Sequence, residues 1–273
     1  MFDALFTTTT EYKKLSHALS GKGACALFGL PASGRAQVYA ALCRQLDKPL
    51  CIVTPGEAEA TRFAADLNTL GIPAAVFPAR DYVLRPIEGT AREYEYRRLA
   101  VLGELVGGRL RAVAVPAEAL TQFTTPKDDF CANTRTLHAG DTLLRDDLLA
   151  ALFGAGYTRR AQVDGPGQFS VRGDIVDIFA PDQKMPVRME FWGDEIDTLH
   201  TFDLTTQRRE DAIDKFYLSP AREVLFGKPA DAAEQLRAFL AKQRGKKKTA
   251  MADCMAADLD LLDGGAVPVN MDK

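Results

Sequence analysis

From Phe169 to Trp192 one set of apolar residues (Phe169 and Val171, Val176 and Ile178, then Val187, Met189 and Phe191) recurs at every second position within short runs, and this narrows the fold more than any other feature of the chain. Phe169 and Val171 alternate with Ser170 and Arg172, and Gly173-Asp174 interrupts. Ile175-Val176-Asp177-Ile178-Phe179 then resumes the run as far as Pro181-Asp182. Val187, Met189 and Phe191 point to one side of the next strand, and Arg188, Glu190 and Trp192 to the other. Gly193-Asp194 turns the chain into a last strand, Glu195 to Phe202. This pattern predicts an antiparallel meander with one face packed and one face wet. A helix precedes it over Arg145 to Gly154, with Leu148, Leu149, Leu152 and Phe153 inward, so this half reads as a small α+β domain.

The first half follows a different rule. An apolar strand, Ala24 to Phe28, runs into a Gly/Pro/Ser turn and a helix carrying Val38, Leu42 and Leu46. Leu50 to Val53 makes a second strand, followed by a helix with Ala60, Phe63, Ala64, Leu67 and Leu70 on one stripe, ended by Gly71. A short strand spans Ala74 to Phe77, a helix carries Leu99, Leu102 and Leu105, and Arg111 to Val115 forms a further strand. Strand–helix alternation of this kind predicts a parallel sheet with covering helices.

The turn after the first strand carries the chemistry-bearing signal of this half. Gly29-Leu30-Pro31-Ala32-Ser33-Gly34-Arg35-Ala36 has the spacing of a phosphate-binding loop, G-x-x-x-x-G-K-[ST], between a strand and a helix. Gly29 and Gly34 are in place, but Arg35 stands where lysine would reach the phosphates, and Ala36 has no hydroxyl for Mg²⁺. Pro31 also removes a backbone donor. The turn therefore reads as an empty strand-to-helix connection or a weak nucleotide site, with hydrolysis the remotest of the three readings. Val113-Ala114-Val115-Pro116-Ala117-Glu118 offers no acidic pair of the sort a working motor places after a strand. No catalytic residue is expected in this chain. Asp128-Asp129 reads as a solvated loop and Asp146-Asp147 as an acidic helix N-terminus.

Composition excludes several classes. With 34 basic and 37 acidic residues the net charge is −3, so contact with DNA would need a local patch. Five cysteines (Cys25, Cys43, Cys51, Cys131, Cys254) form no C-x-x-C pair, and the three histidines are scattered, so neither a disulfide framework nor a metal site is expected. Cys25 and Cys51 lie in apolar runs, where a thiol usually acts as a small buried hydrophobe. Neither a signal peptide nor a membrane span of about 18 apolar residues is present, and the expected compartment is the cytoplasm.

The stretch Gly167-Gln168-Phe169-Ser170-Val171-Arg172-Gly173-Asp174-Ile175-Val176-Asp177-Ile178-Phe179 resembles the region shared by UvrB and the bacterial transcription-repair coupling factors (Mfd). The likeness continues through Pro186-Val187-Arg188-Met189-Glu190-Phe191-Trp192-Gly193-Asp194-Glu195-Ile196 to Phe202-Asp203-Leu204-Thr205-Thr206-Gln207-Arg208. The closing Thr-Gln-Arg and the altered phosphate-loop residues are more similar to the coupling factors. So is the lack of a long aromatic hairpin after Asp81-Tyr82. The resemblance implies an α/β chain: a degenerate P-loop (RecA/helicase-like) domain with a parallel sheet over residues 1–126, and an inserted small α+β domain with an antiparallel sheet over 127–219. Residues 220–273 would begin a third segment returning to the first domain. It further implies that the small domain recruits UvrA through Arg172, Arg188 and Trp192, where the family more often has phenylalanine at the last position. No cofactor is implied. RNA polymerase and DNA would be met through other parts of a longer, ATP-driven translocase, in which the docking face is masked at rest.

Pattern alone leaves two readings of those residues open. An exposed aromatic beside arginines is the composition of a binding hot spot. Alternatively Trp192 covers the sheet edge and the arginines solvate the face. Glu190 is either part of that face or an internal partner for an arginine. After the exit Pro220-Ala221-Arg222-Glu223, a helix with Leu236, Phe239 and Leu240 is expected over Ala232 to Gln243, and no closing helix or strand beyond it. Five of the eight residues from Ala241 to Lys248 are Lys or Arg, which reads as a solvated linker or as a weak grip on phosphate backbones. The competing functional class is an ATP-dependent, UvrB-like DNA-binding repair enzyme with a variant P-loop.

Overall fold

The computed structural model describes residues 7–21, 24–46, 48–80, 92–224, 229–242 and 250–263. The chain divides into two compact units, Met1–Ala79 with Val101–Phe123, and Arg80–Ala100 with Thr124–Lys273.

The first unit holds α1 (Thr10–Ser20), α2 (Ala32–Gln45), β1 (Leu50–Thr54), α3 (Glu57–Thr69), β2 (Ala74–Val76), the second half of α4 (Glu93–Val106), β3 (Ala112–Pro116) and the short α5 (Ala117–Leu120). The three strands are parallel in the order β1-β3-β2. Central β3 is buried at every position, as its unbroken small aliphatic run requires. Helix α3 buries Ala60, Phe63, Ala64 and Leu67, the stripe its spacing predicts. It ends in a Schellman motif: Gly71 at φ 76° lets its own N–H reach the Asn68 carbonyl and that of Ile72 reach Leu67. Arg111 caps α2 from across the sheet, donating to the Cys43 carbonyl at 2.6 Å and to that of Leu46.

Two expectations fail in this unit. Ala24 to Phe28 forms no strand; the segment is exposed and joins no ladder among the described residues. A continuous apolar run can mark a segment as strand-like, but pairing requires a partner supplied from elsewhere in the fold. Cys25, on that segment, is exposed, and so is Cys51. β1 lies at the sheet edge, where Ile52 and Thr54 turn inward while Cys51 and Val53 face solvent.

The second unit holds α6 (Lys127–Ala132), β4 (Arg135–His138), α7 (Arg145–Gly154), β5 (Thr158–Arg159), β6 (Gln168–Arg172), β7 (Ile175–Phe179), β8 (Val187–Trp192), β9 (Glu195–Phe202), β10 (Arg209–Ala212), β11 (Lys215–Leu218), α8 (Pro229–Lys242) and α9 (Ala250–Asp263). A six-stranded sheet runs β10-β9-β8-β7-β6-β5, antiparallel except where β5 joins β6, and β4 pairs with β11 in a separate ribbon. The β6–β7 and β8–β9 hairpins close on Gly173-Asp174 and Gly193-Asp194, with the glycines at φ 61° and 63°. A first loop residue at positive φ is the type II′ geometry, which only glycine adopts without strain. Phe169, Val176, Ile178, Val187, Met189, Phe191, Ile196 and Leu199 form one core with Leu148 and Leu152 of α7.

Phe153 departs from the predicted inward set. It is 55% exposed and touches Phe169 edge-on at 5.2 Å, because Leu148 and Leu152 share the sheet-facing line and the next residue lies about 100° further round the helix. Asp128 and Asp129 sit in the first turn of α6 rather than in a loop, with Phe130 buried behind them. The helix α9 has no counterpart in the sequence reading; it pairs with α8 through Ala233, Leu236, Leu259 and Leu262. The basic run from residue 243 onward and the segment after Asp81 lie outside the described residues.

Candidate docking face

The face of the meander opposite the main core is organised in rows. Register places Ser170, Asp177, Arg188 and His200 across β6, β7, β8 and β9. The adjacent row is Arg172, Ile175, Glu190 and Thr198, and Trp192 follows at the end of β8.

The first row is not wet. Asp177 is fully buried, and its carboxylate accepts from Arg188 Nε at 2.7 Å and Nη2 at 3.0 Å, and from Arg172 Nη2 at 2.5 Å. The Arg188 guanidinium lies 4.8 Å from the Phe202 ring centre and donates to the Gln207 carbonyl at 3.2 Å. Phe202 belongs to a second, small core on this outer face, with Val163, Phe179 and Leu204. The loop after β9 closes over it: the Gln207 amide donates to the Leu204 and Val163 carbonyls, and Asp203 accepts the N–H groups of Thr205 and Thr206. The Thr206 N–H and hydroxyl, with a smaller contribution from the Thr205 N–H, hold the Asp203 carboxyl below the usual carboxylate range.

The three expected docking residues are therefore placed unequally. The Arg188 side chain is 11% exposed and the Arg172 side chain 46% exposed. Trp192 is 82% exposed, about 13 Å along β8 from Arg188. The structure brings the two arginines together on one carboxylate and leaves Trp192 apart. Glu190 pairs with Arg209 and accepts from Thr198 at 3.2 Å, so it does not serve either arginine. Asp177 and Gln207 were not singled out by the sequence reading. The available signal for Asp177 was an acid on the same strand face as two nearby arginines, between aliphatic neighbours.

Around the phosphate-loop-like turn, Gly29 has φ 81° and helix α2 already begins at Ala32, so Ser33, Gly34, Arg35 and Ala36 are all helical. The Arg35 N–H bonds back to the Pro31 carbonyl, and Ala36 is buried. The Arg35 guanidinium turns to α3, 3.8 Å from Glu59 and 5.6 Å from the centre of the Phe63 ring. Among the described residues no group of three His, Cys, Asp or Glu side chains is placed to hold a metal, and no helix is long and apolar enough to cross a membrane.

Residues 136–224, which contain all of this face, match the UvrB interaction domain. A transcription-repair-coupling factor of Myxococcus xanthus is 35% identical over 208 residues, covering 72% of this chain and 17% of that protein. One from Bacillus subtilis is 28% identical over 226 residues, 81% of this chain and 19% of that protein. The UvrABC system protein B of Chlorobium limicola is 27% identical over 226 residues, 77% of this chain and 32% of that protein. A parallel α/β unit joined to this antiparallel domain defines a UvrB-like module. The chain belongs to the UvrB-like modules of the transcription-repair-coupling factor family, and it spans less than a fifth of the length of the coupling factors named above.

Proposed function

We propose that this module is a non-catalytic docking unit that recruits UvrA during nucleotide excision repair, with residues 127–219 as the docking domain. Arg172, Arg188 and Trp192 form the working set. The observation that carries the reading is Trp192: a tryptophan 82% exposed at the end of a rigid strand, in a domain matching the UvrB interaction family, is costly surface for a chain with no partner. Arg172 adds a half-exposed guanidinium on the same sheet face.

The scaffold supports the non-catalytic part of this reading. A phosphate cradle needs several loop N–H groups converging on one point. Here Ser33 to Ala36 are already wound into α2, and the Arg35 cation faces Glu59. The competing reading, an ATP-dependent UvrB-like DNA-binding enzyme, has no such support. In a complete coupling factor, RNA polymerase, DNA and an ATP-driven translocase would belong to other parts of a cytoplasmic protein.

The test is titration of UvrA with the wild-type chain and with Trp192→Ala and Arg172→Ala, folding being followed by circular dichroism. Binding lost in folded variants supports the docking role. Absence of binding by a folded wild-type chain removes it, and binding of ATP by calorimetry would favour the competing enzyme.

A further inference from the structure

The charges around Asp177 do not balance. One buried carboxylate faces two guanidiniums, and its two oxygens accept three N–H bonds from them. One positive charge is left over. The neighbouring acids are committed elsewhere: Glu190 to Arg209 and Thr198, and Asp174 to Arg145 at 3.2 Å. Arg188 cannot present the surplus, since its guanidinium is covered by Phe202 and by the loop at Gln207. It emerges through Arg172, whose side chain is 46% exposed and which is tethered to Asp177 by one nitrogen.

We propose, on the basis of the docking reading above, that Asp177 is a positioning residue of the interface: it anchors the Arg172 guanidinium from below so that its outer N–H edge meets a carboxylate of the partner. The partner surface thus carries an acid opposite Arg172 and an apolar patch opposite Trp192, with half-buried Ile175 beside Arg172 in its row. Arg188 acts through Asp177, holding the carboxylate in place with two hydrogen bonds. A guanidinium has a planar fork of donors and can bridge two carboxylates; an ammonium on a flexible stem keeps the charge and loses that geometry. Fixing the fork before the partner arrives removes part of the ordering cost of association.

The test is a double-mutant cycle on UvrA affinity with the whole chain, using Asp177→Asn, Arg172→Ala and the pair, joined by Arg172→Lys and Trp192→Ala. Arg172→Ala is expected to weaken binding by roughly tenfold or more in the wild-type background and by only about twofold or less once Asp177→Asn is present. A merely structural Asp177 would lower the melting temperature and leave the Arg172 effect unchanged. Additive effects in folded proteins therefore overturn the inference. Arg172→Lys alters a half-exposed residue, and keeps the measurement decisive if Asp177→Asn does not fold. Loss close to that of Arg172→Ala supports an oriented fork, whereas affinity equal to wild type shows that charge alone suffices and overturns it. Binding that needs Trp192 but shows no coupling between Asp177 and Arg172 overturns this inference alone. A folded wild-type chain that does not bind UvrA overturns the docking reading, and the inference with it.

Discussion

The Arg98 guanidinium makes two 2.8 Å hydrogen bonds to the Glu223 carboxylate with both side chains fully buried, joining residues 125 positions apart within one unit. Arg80 Nε lies 3.7 Å from the same carboxylate. The backbone at Glu223 is also tied: its N–H donates to Glu95 at 3.0 Å, and its carbonyl accepts from the Thr125 hydroxyl. The N-terminal half of α4 and the exit from the small domain are thus joined through one carboxylate.

Removing that carboxylate takes away the counter-charge that Arg98 and Arg80 share in a buried site. Glu223→Ala is expected to destabilise this unit by about 3–5 kcal/mol. Urea unfolding followed by circular dichroism measures it. A loss below about 1 kcal/mol would show that the pair is replaceable by relaxation and water.

Trp192 and Arg188 separate binding from folding. Trp192→Ala is expected to change stability by no more than about 0.5 kcal/mol and to weaken UvrA binding by about 2 kcal/mol. Arg188→Ala is expected to cost about 3 kcal/mol of stability, because it takes the bidentate partner from buried Asp177. Its effect on binding is therefore read only beside a melting curve. Equal melting temperatures for the two variants would contradict the buried placement of Arg188.

Gln207 is the one described residue other than glycine with positive φ, at 59°, and its side chain fastens the loop over the outer core. Gln207→Ala loses both amide hydrogen bonds and keeps the backbone strain. Gln207→Gly loses the same bonds and relieves the strain. The alanine variant is expected to be the less stable by about 1 kcal/mol. Thermal melts of the two decide it, and the reverse order would mean that the loop does not need the left-handed conformation.

Burial pushes the Tyr157 phenol well above its ordinary range, and its O–H donates to the Ser219 carbonyl at 2.7 Å. The folded state keeps this proton where the unfolded chain releases it, so the folded state binds more protons and stability falls as pH rises past about 10. That part of the stability is fully present below the unfolded-state pKa and is lost progressively up to the folded-state one. Melting temperatures at pH 8 and in the alkaline range, with phenolate absorbance as the second probe, test this. A Tyr157 that ionises without unfolding would refute it.

What sequence alone determined is local. The period of two from Phe169 to Trp192, interrupted by Gly173-Asp174 and ended by Gly193-Asp194, encodes the strands, the turn type and which side chains share a face. The α3 stripe closed by Gly71 is legible for the same reason, since helical spacing and a left-handed cap are properties of neighbouring residues. Tertiary structure decided what covers a face and what pairs with an edge. Alternation placed Arg188 away from the main core, but Phe202 and the 203–207 loop bury it, and contacts between strands attach it to Asp177. Ala24 to Phe28 has a strand's apolar run and no ladder, and α9 packs on α8 through Leu259 and Leu262, a pairing that its own sequence does not specify. Burial and pairing depend on residues far apart in the chain, and a one-dimensional pattern carries their side but not their partner.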